Sequence, residues 1–249
     1  MNAGGTPIYG LDIETDTTCD GLDPRVAAIV AIAVSASAGD LVFDGEEADL
    51  LARTDAHLAT LEPGVIATWN GAGFDLPFVA YRAARLRIRL GLDISADPTL
   101  SLRGVPLMGI ESGCRAAWYA HGHLDAYRLY RADTARVLGI GARLKVLARA
   151  AGLSPIEVDA ARIHELSAKE VAAYVASDAQ CTRLLVERRL PSALLAVDRF
   201  PRPNQLRSPV ARADVPTPPP VRSRPTPDHA RTAPPSSARV APVPATEAH

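Results

Sequence analysis

Asp12 and Glu14 stand two residues apart in the run Tyr9-Gly10-Leu11-Asp12-Ile13-Glu14-Thr15. Successive side chains of a strand point to opposite faces, so the two acids share a face flanked by Ile8, while Tyr9, Leu11 and Ile13 take the other. Two carboxylates about 7 Å apart on one face need a cation or a proton between them. Hard divalent cations such as magnesium take oxygen ligands and meet that need. Two more acids have a chemical setting. Asp75 closes Asn70-Gly71-Ala72-Gly73-Phe74-Asp75, and Asp178 follows Tyr174 by four residues, on the same face of a helix. Four carboxylates meeting at one place could hold two divalent ions about 3.5–4 Å apart. Plainer readings exist for each. An Asp-x-Glu pair arises by chance about once in a chain of this length. Asp75 is suited to capping a helix, and Tyr174 to a half-buried core position with its hydroxyl at the edge. Asp178 sits in a helix interior among Ala176, Ser177 and Ala179, where Asp has poor propensity, which favours function.

The elements that must position these residues follow from periodicity. The first strand ends in the two acids, and a turn-rich piece from Asp16 to Arg25 follows. The near-continuous apolar run over 26–35 predicts a strand buried on both faces, and Leu41-Val42-Phe43 a third, giving an antiparallel meander. Residues 45–61 have helical spacing, with Leu50, Leu51, Leu58 and Leu61 on one side, and Pro63-Gly64 stops them. Val65-Ile66-Ala67-Thr68-Trp69 is a fourth strand, entered after a helix and so parallel to the first. A second helix begins near Phe74, with Arg82, Arg85, Arg87 and Arg89 toward its far end. Residues 91–115 predict a long loop with room for a hairpin, and 118–124 a fifth strand. Helices are expected over 126–138 and 143–151, with Asp125 capping the first. A last helix over 167–189 opens on the capping box Ser167-Ala168-Lys169-Glu170. Parallel first and fourth strands would open Asp12, Glu14 and Asp75 at one edge, where α/β sheets bind ligands.

Composition bounds the rest. The 249 residues suffice for one domain plus an extension, drawn at 1–195 and 196–249. No apolar run approaches the ~20 residues of a membrane span, and the start of the chain has no signal-peptide pattern. Cys19, Cys114 and Cys181 form no pairable framework, which favours a reducing, cytoplasmic setting and argues against structural zinc. A net charge of -1 does not by itself announce a nucleic-acid binder. Basic residues are almost all arginine, with Lys145 and Lys169 the exceptions. From Pro201 onward proline recurs among Ala, Ser, Thr and Arg, predicting a disordered tail. Its Pro216-Thr217-Pro218-Pro219-Pro220 piece has the form of a ligand for an aromatic groove, a protein partner, against the plainer reading of a solvated tail. His121-Gly122-His123 lacks a third zinc ligand, and Gly139-Ile140-Gly141 lacks the third glycine of a dinucleotide turn.

Asp12-Ile13-Glu14, Asn70-x-x-x-Phe74-Asp75 and Tyr174-x-x-x-Asp178, in that order, resemble the three motifs of the DEDD 3′–5′ exonuclease superfamily, in the subgroup with tyrosine in the third motif. The wording Thr68-Trp69-Asn70-Gly71-x-x-Phe74-Asp75-x-Pro77-Phe78 is most similar to the exonuclease domains of family B DNA polymerases. The resemblance covers about residues 6 to 190, with only the tail beyond it, which implies a standalone domain. It implies an α/β, RNase H-like fold: a mixed five-stranded sheet, its first three strands antiparallel, with helices on both faces. It implies Asp12, Glu14, Asp75 and Asp178 as ligands of two Mg2+ or Mn2+ ions and Tyr174 as the residue orienting the attacking water. It places Leu11, Thr15, Asn70 and Phe74 against the substrate, a single-stranded 3′ end, DNA ahead of RNA. The arginines of the second helix, with Arg103 and Arg115, would follow the phosphates. The competing reading is a non-catalytic nucleic-acid or protein adaptor that keeps the fold and uses its tail for partners.

Overall fold

The structure, a computed structural model, describes residues 5–97, 113–132 and 134–196. The proline-rich tail and Arg103 lie outside the described residues. One mixed sheet runs through the described residues: β1 (Ile8–Thr15), β2 (Ile29–Ala36), β3 (Gly39–Asp44), β4 (Val65–Thr68), β5 (Leu92–Ala96), β6 (Cys114–Trp118) and β7 (His121–Asp125), in spatial order β3-β2-β1-β4-β7-β6-β5. The first three strands form the antiparallel meander, and β4 lies parallel to β1, with Gly10 opposite Ala67. β7 continues the parallel core beside β4, and β6 and β5 return antiparallel.

The sheet has seven strands where the sequence predicts five. The piece expected as a loop holds β5 and β6, which pair from Leu92–Trp118 to Ala96–Cys114. The expected fifth strand over 118–124 starts on the last residue of β6, reverses at Tyr119, whose φ is +52°, and continues as β7. Left-handed backbone is usually announced by glycine or asparagine, so a tyrosine there hides the turn. It is held from outside. The Tyr119 hydroxyl and the Trp118 indole both donate to Asp55, which also accepts from the Gly91 amide.

Alternation along β1 sorts its side chains. Tyr9, Leu11 and Ile13 join the core formed with Leu50, Leu51 and Leu58 of α1 (Glu47–Thr60) and Leu76, Phe78 and Val79 of α2 (Asp75–Leu86). The opposite face meets α6 (Ala168–Ala196). There Ala31 and Ala33 pack on Val171, Tyr174, Val175 and Ala179, and Ile8 and Ala67 on Val186. Small residues bring helix and sheet close. A Cβ on Gly10 would collide with the Ala179 carbonyl. Between β7 and α6 come α3 (Ala126–Ala132), α4 (Thr134–Leu138) and α5 (Leu144–Ala150), then a 3-10 turn at Ala160–Glu165. The single helix expected over 126–138 is thus two. The capping box forms: the Ser167 hydroxyl accepts the Glu170 amide, and Glu170 accepts the Ser167 amide at 2.8 Å. α6 outruns its expected end at 189. No helix of the described residues is long and apolar enough to cross a membrane.

Candidate active site

The parallel pairing of β1 with β4 stops at Gly10–Ala67, and β1 runs on past it. Asp12 and Glu14 lie on this extension, on the face turned to α6. The chain leaves β4 through a tight turn at Asn70, whose φ is +70°, and enters α2 at Asp75. The Asp75 carboxylate is buried at the head of α2. Asp178 is buried on α6, one turn beyond Tyr174. Three elements far apart in sequence therefore bring the four carboxylates within electrostatic reach of one another.

Their electrostatics show how close they are. Burial, then the charges of Asp75, Glu14 and Asp178, holds the Asp12 carboxyl well above the carboxylate range. Burial, then Asp178 and Asp75, pushes Glu14 up to about 8. Burial raises Asp75 to about 7 despite the amide bonds that pull it down. Asp178 is raised to about 6 by burial, with Lys145 opposing. The Tyr174 phenol is pushed far up by burial and then by Asp178, so it stays a protonated donor. Such mutual penalties are typical of sites built to receive positive charge.

One cation is already there. Lys145, near the start of α5, places Nζ 3.4 Å from Asp178 Oδ2 and 3.8 Å from the Tyr174 ring centroid. It touches two of the sequence-predicted residues, and sequence reasoning missed its role. The available signal was a solitary lysine opening an amphipathic turn in a chain whose other cations are nearly all arginine. Among the described residues, no three His, Cys, Asp or Glu side chains are set to grip a metal ion as they stand. The chemistry still fits one: the donors are all carboxylate oxygens, and buried Asp178 Oδ1 has no hydrogen-bond partner.

The four residues expected against substrate separate. Asn70 is exposed in its turn, and its amide donates to Asp125 Oδ1 at 2.9 Å. Phe74 is half-buried just ahead of α2, its ring 5.4 Å from that of Phe78. Leu11 is 1% exposed and faces α1 and α2, on the side of the sheet away from the acids. Thr15 is buried and donates to the Gly21 carbonyl, which anchors the loop after β1. A cleft of about 410 Å3 is lined by Thr15, Val30, Ala31, His164, Leu166 and Val171 among others, and by none of the four acids.

The arginine track of the second helix is not at the site. Arg82 is buried and binds Glu47 at 2.5 Å and the Pro24 carbonyl at 3.0 Å. The chain beyond α2 reaches Gly91, which bonds Tyr119 at the start of the β6–β7 reversal. β7 then runs its own length along the strand direction before reaching Asp125, which accepts the Asn70 amide. Arg87 and Arg89 therefore lie at the sheet edge opposite the acids. Arg115 is paired with Asp97 at 2.5 Å. The two histidines of β7 are core groups. His121 accepts from the Gly64 amide and bonds the Leu58 carbonyl, and His123 lies 2.8 Å from the Thr68 hydroxyl. Burial, then Arg128, lowers His123 to about 3.

The first strand, the head of α2 and the last helix thus bring acids together at one edge of a mixed sheet. The chain belongs to the family described as DNA polymerase family B, exonuclease domain, which it matches over residues 9–134. Two relatives are catalytic subunits of DNA polymerase epsilon. The chain is 29% identical over 142 residues to one from Arabidopsis thaliana, and 30% identical over 143 residues to one from Schizosaccharomyces pombe. Each match takes in 56% of this chain and 6% of the relative's length. The fold is similar to the family B DNA polymerase of the hyperthermophilic archaeon Pyrobaculum calidifontis, with a TM-score of 0.59 and 23% identity, covering 75% of this chain and 25% of that one. Lys145, Tyr174 and Asp178 lie beyond the segment matched to the family, so their membership of the site rests on the geometry above.

Proposed function

We propose that this chain is a 3′–5′ exonuclease that hydrolyses phosphodiester bonds at single-stranded 3′ ends, DNA ahead of RNA, with two Mg2+ or Mn2+ ions at the acid cluster. The observation that carries the reading is the meeting of Asp12, Glu14, Asp75 and Asp178 from three elements, each with its carboxyl raised. These four residues would hold the cations, which when bound supply an activated water and stabilise charge on the leaving 3′ oxygen. The chain's own groups do the positioning. Tyr174 keeps its proton and offers a hydroxyl donor beside the acids, toward the attacking water. Asp75 is held at the head of α2, buried and facing the other acids. Exposed Asn70 and half-buried Phe74 lie in the turn that leads into Asp75, and a terminal nucleotide would meet them there. The preference for DNA follows the names of the relatives, which are DNA polymerases.

The test is release of mononucleotides from a 5′-labelled single strand with Mg2+ or Mn2+, run on matched DNA and RNA with free and blocked 3′ ends. Asp12→Ala and Asp178→Ala are expected to slow it by roughly 100-fold or more, the scale of losing a principal charge-stabilising group. Variants as fast as the parent, or products indifferent to a blocked 3′ end, overturn the reading.

A further inference from the structure

The basic charge of the folded body is not spread evenly. Residues 1–125 hold eight arginines against seventeen acids, whereas residues 126–150 hold Arg128, Arg131, Arg136, Arg143, Lys145 and Arg149 against Asp133 alone. That stretch is α3, α4 and α5, and both of its ends touch the acid cluster's surroundings. At one end, Asp125 Oδ1 accepts the amides of both Asn70 and Tyr127, which ties the head of α3 to the turn that carries Asp75. At the other, Lys145 meets Asp178.

Three of the six cations are engaged. Arg128 pairs with Asp125, Lys145 with Asp178 and Arg149 with Glu157. Arg131, Arg136 and Arg143 pair with no carboxylate among the described residues. Arg136 and Arg143 are exposed, and Arg131 lies 5.6 Å over the Tyr127 ring, whose edge meets Trp69 at 6.3 Å. Beside Arg136, Val137 is 76% and Leu138 57% exposed. Guanidinium groups with no carboxylate partner among the described residues, a half-buried tyrosine stacked under one of them, and exposed apolar side chains between them are what a single strand needs: cations for phosphates and flat or apolar surface for bases.

We propose that the outer surface of α3–α5, centred on Tyr127, Arg131, Arg136 and Arg143, is the track that carries the single-stranded nucleic acid behind its 3′ end. This deepens the nuclease reading and rests on it for the direction of the strand. The track replaces the arginines after α2, which stand at the wrong edge of the sheet. It also lets a domain of negative overall charge hold a polyanion, because these cations are gathered in one stretch of the chain and most of the acids lie elsewhere in the sequence.

The experiment measures binding apart from catalysis. Fluorescence anisotropy of a labelled 12-nucleotide strand is recorded in EDTA, between 50 and 300 mM salt, for the parent chain, for Arg131→Gln/Arg136→Gln/Arg143→Gln and for Arg85→Gln/Arg87→Gln/Arg89→Gln. Unchanged thermal melting checks that each variant is folded. The first variant is expected to bind about tenfold more weakly and to lose about 2 from the slope of log K against log[salt], at ~0.7 per lost phosphate contact. The second is expected to bind like the parent. Tyr127→Ala is expected to weaken binding severalfold, and a photoreactive base four nucleotides from the 3′ end to crosslink within residues 126–150. Equal binding by the parent and the first variant, or crosslinks confined to residues 85–91, overturns the proposal. So does poly-glutamate binding as tightly as the strand with no loss for Tyr127→Ala, which would mark an acidic protein as the occupant. A parent that hydrolyses nothing while the first variant loses binding leaves the track standing and removes the catalytic reading. Hydrolysis by a parent whose binding the variant matches does the reverse.

Discussion

Replacing Lys145 by methionine keeps the length of the side chain and removes its charge. The ammonium sits 3.4 Å from Asp178 Oδ2, with side-chain exposures of 19% and 10% for the two residues. At an effective dielectric of about 20, charges at that distance attract by about 5 kcal/mol gross. The cation over the Tyr174 ring, at 3.8 Å, adds about 1–2 kcal/mol. Desolvating the ammonium and keeping a carboxylate charged in this crowded place offset much of the sum. The net loss expected in metal-free protein at pH 8 is about 2–4 kcal/mol, near the low end of broken buried pairs. The pH dependence identifies the cause. Asp178 is raised to about 6, and loss of Lys145 raises it further. Above pH 6 the parent gains the ion pair, whereas the variant must either keep the proton or leave the carboxylate uncompensated. Below it the carboxyl is protonated in parent and variant alike, and the deficit shrinks to the ring contact. Urea unfolding of Lys145→Met and parent in EDTA at pH 5 and pH 8 measures both, and adding Asp178→Asn to each closes a double-mutant cycle. A deficit of equal size at the two pH values, or no coupling to Asp178→Asn, refutes the electrostatic reasoning and reduces Lys145 to packing.

The acid cluster as a whole sets a further pH dependence. Its carboxyls are raised, Glu14 to about 8, Asp75 to about 7 and Asp178 to about 6, so the folded chain keeps protons that the unfolded chain has released. Stability of the metal-free protein should therefore fall as pH rises from about 4 to about 8, and a urea midpoint that climbs across this range contradicts the picture. Adding Mn2+ at pH 8 should raise the melting temperature by mass action, and an Asp12→Asn/Asp178→Asn protein should lose most of that response. Arg82→Met breaks a buried pair that joins α1 to α2 and to the loop ahead of β2, and should cost about 3–5 kcal/mol in urea unfolding. Gly10→Ala drives a methyl group into the Ala179 carbonyl and should cost about 1–3 kcal/mol or more, as overpacking does. Because the clash lies one residue from Asp178 on α6, nuclease activity should fall further than the loss of folded protein explains.

The sequence alone was enough for whatever a few neighbouring residues decide. The two-residue period of β1 put Asp12 and Glu14 on one face and Tyr9, Leu11 and Ile13 on the other, and the core divides that way. Proline and glycine ended α1, Ser167 and Glu170 opened α6, and the helix between β3 and β4 implied that β4 runs parallel to β1. Those signals act within a turn or a strand, so they survive in the linear string. Only the tertiary structure decided that Lys145 meets Asp178, that Arg82 is a buried strut and not a phosphate contact, and that Leu11 belongs to the core. It alone disclosed the β5–β6 pairing and the left-handed turn at Tyr119, which Asp55 holds from α1. Each of these depends on which distant groups share a low-dielectric space. Desolvation and Coulomb energy are set by separation in three dimensions, and the order of residues along the chain does not encode that distance locally.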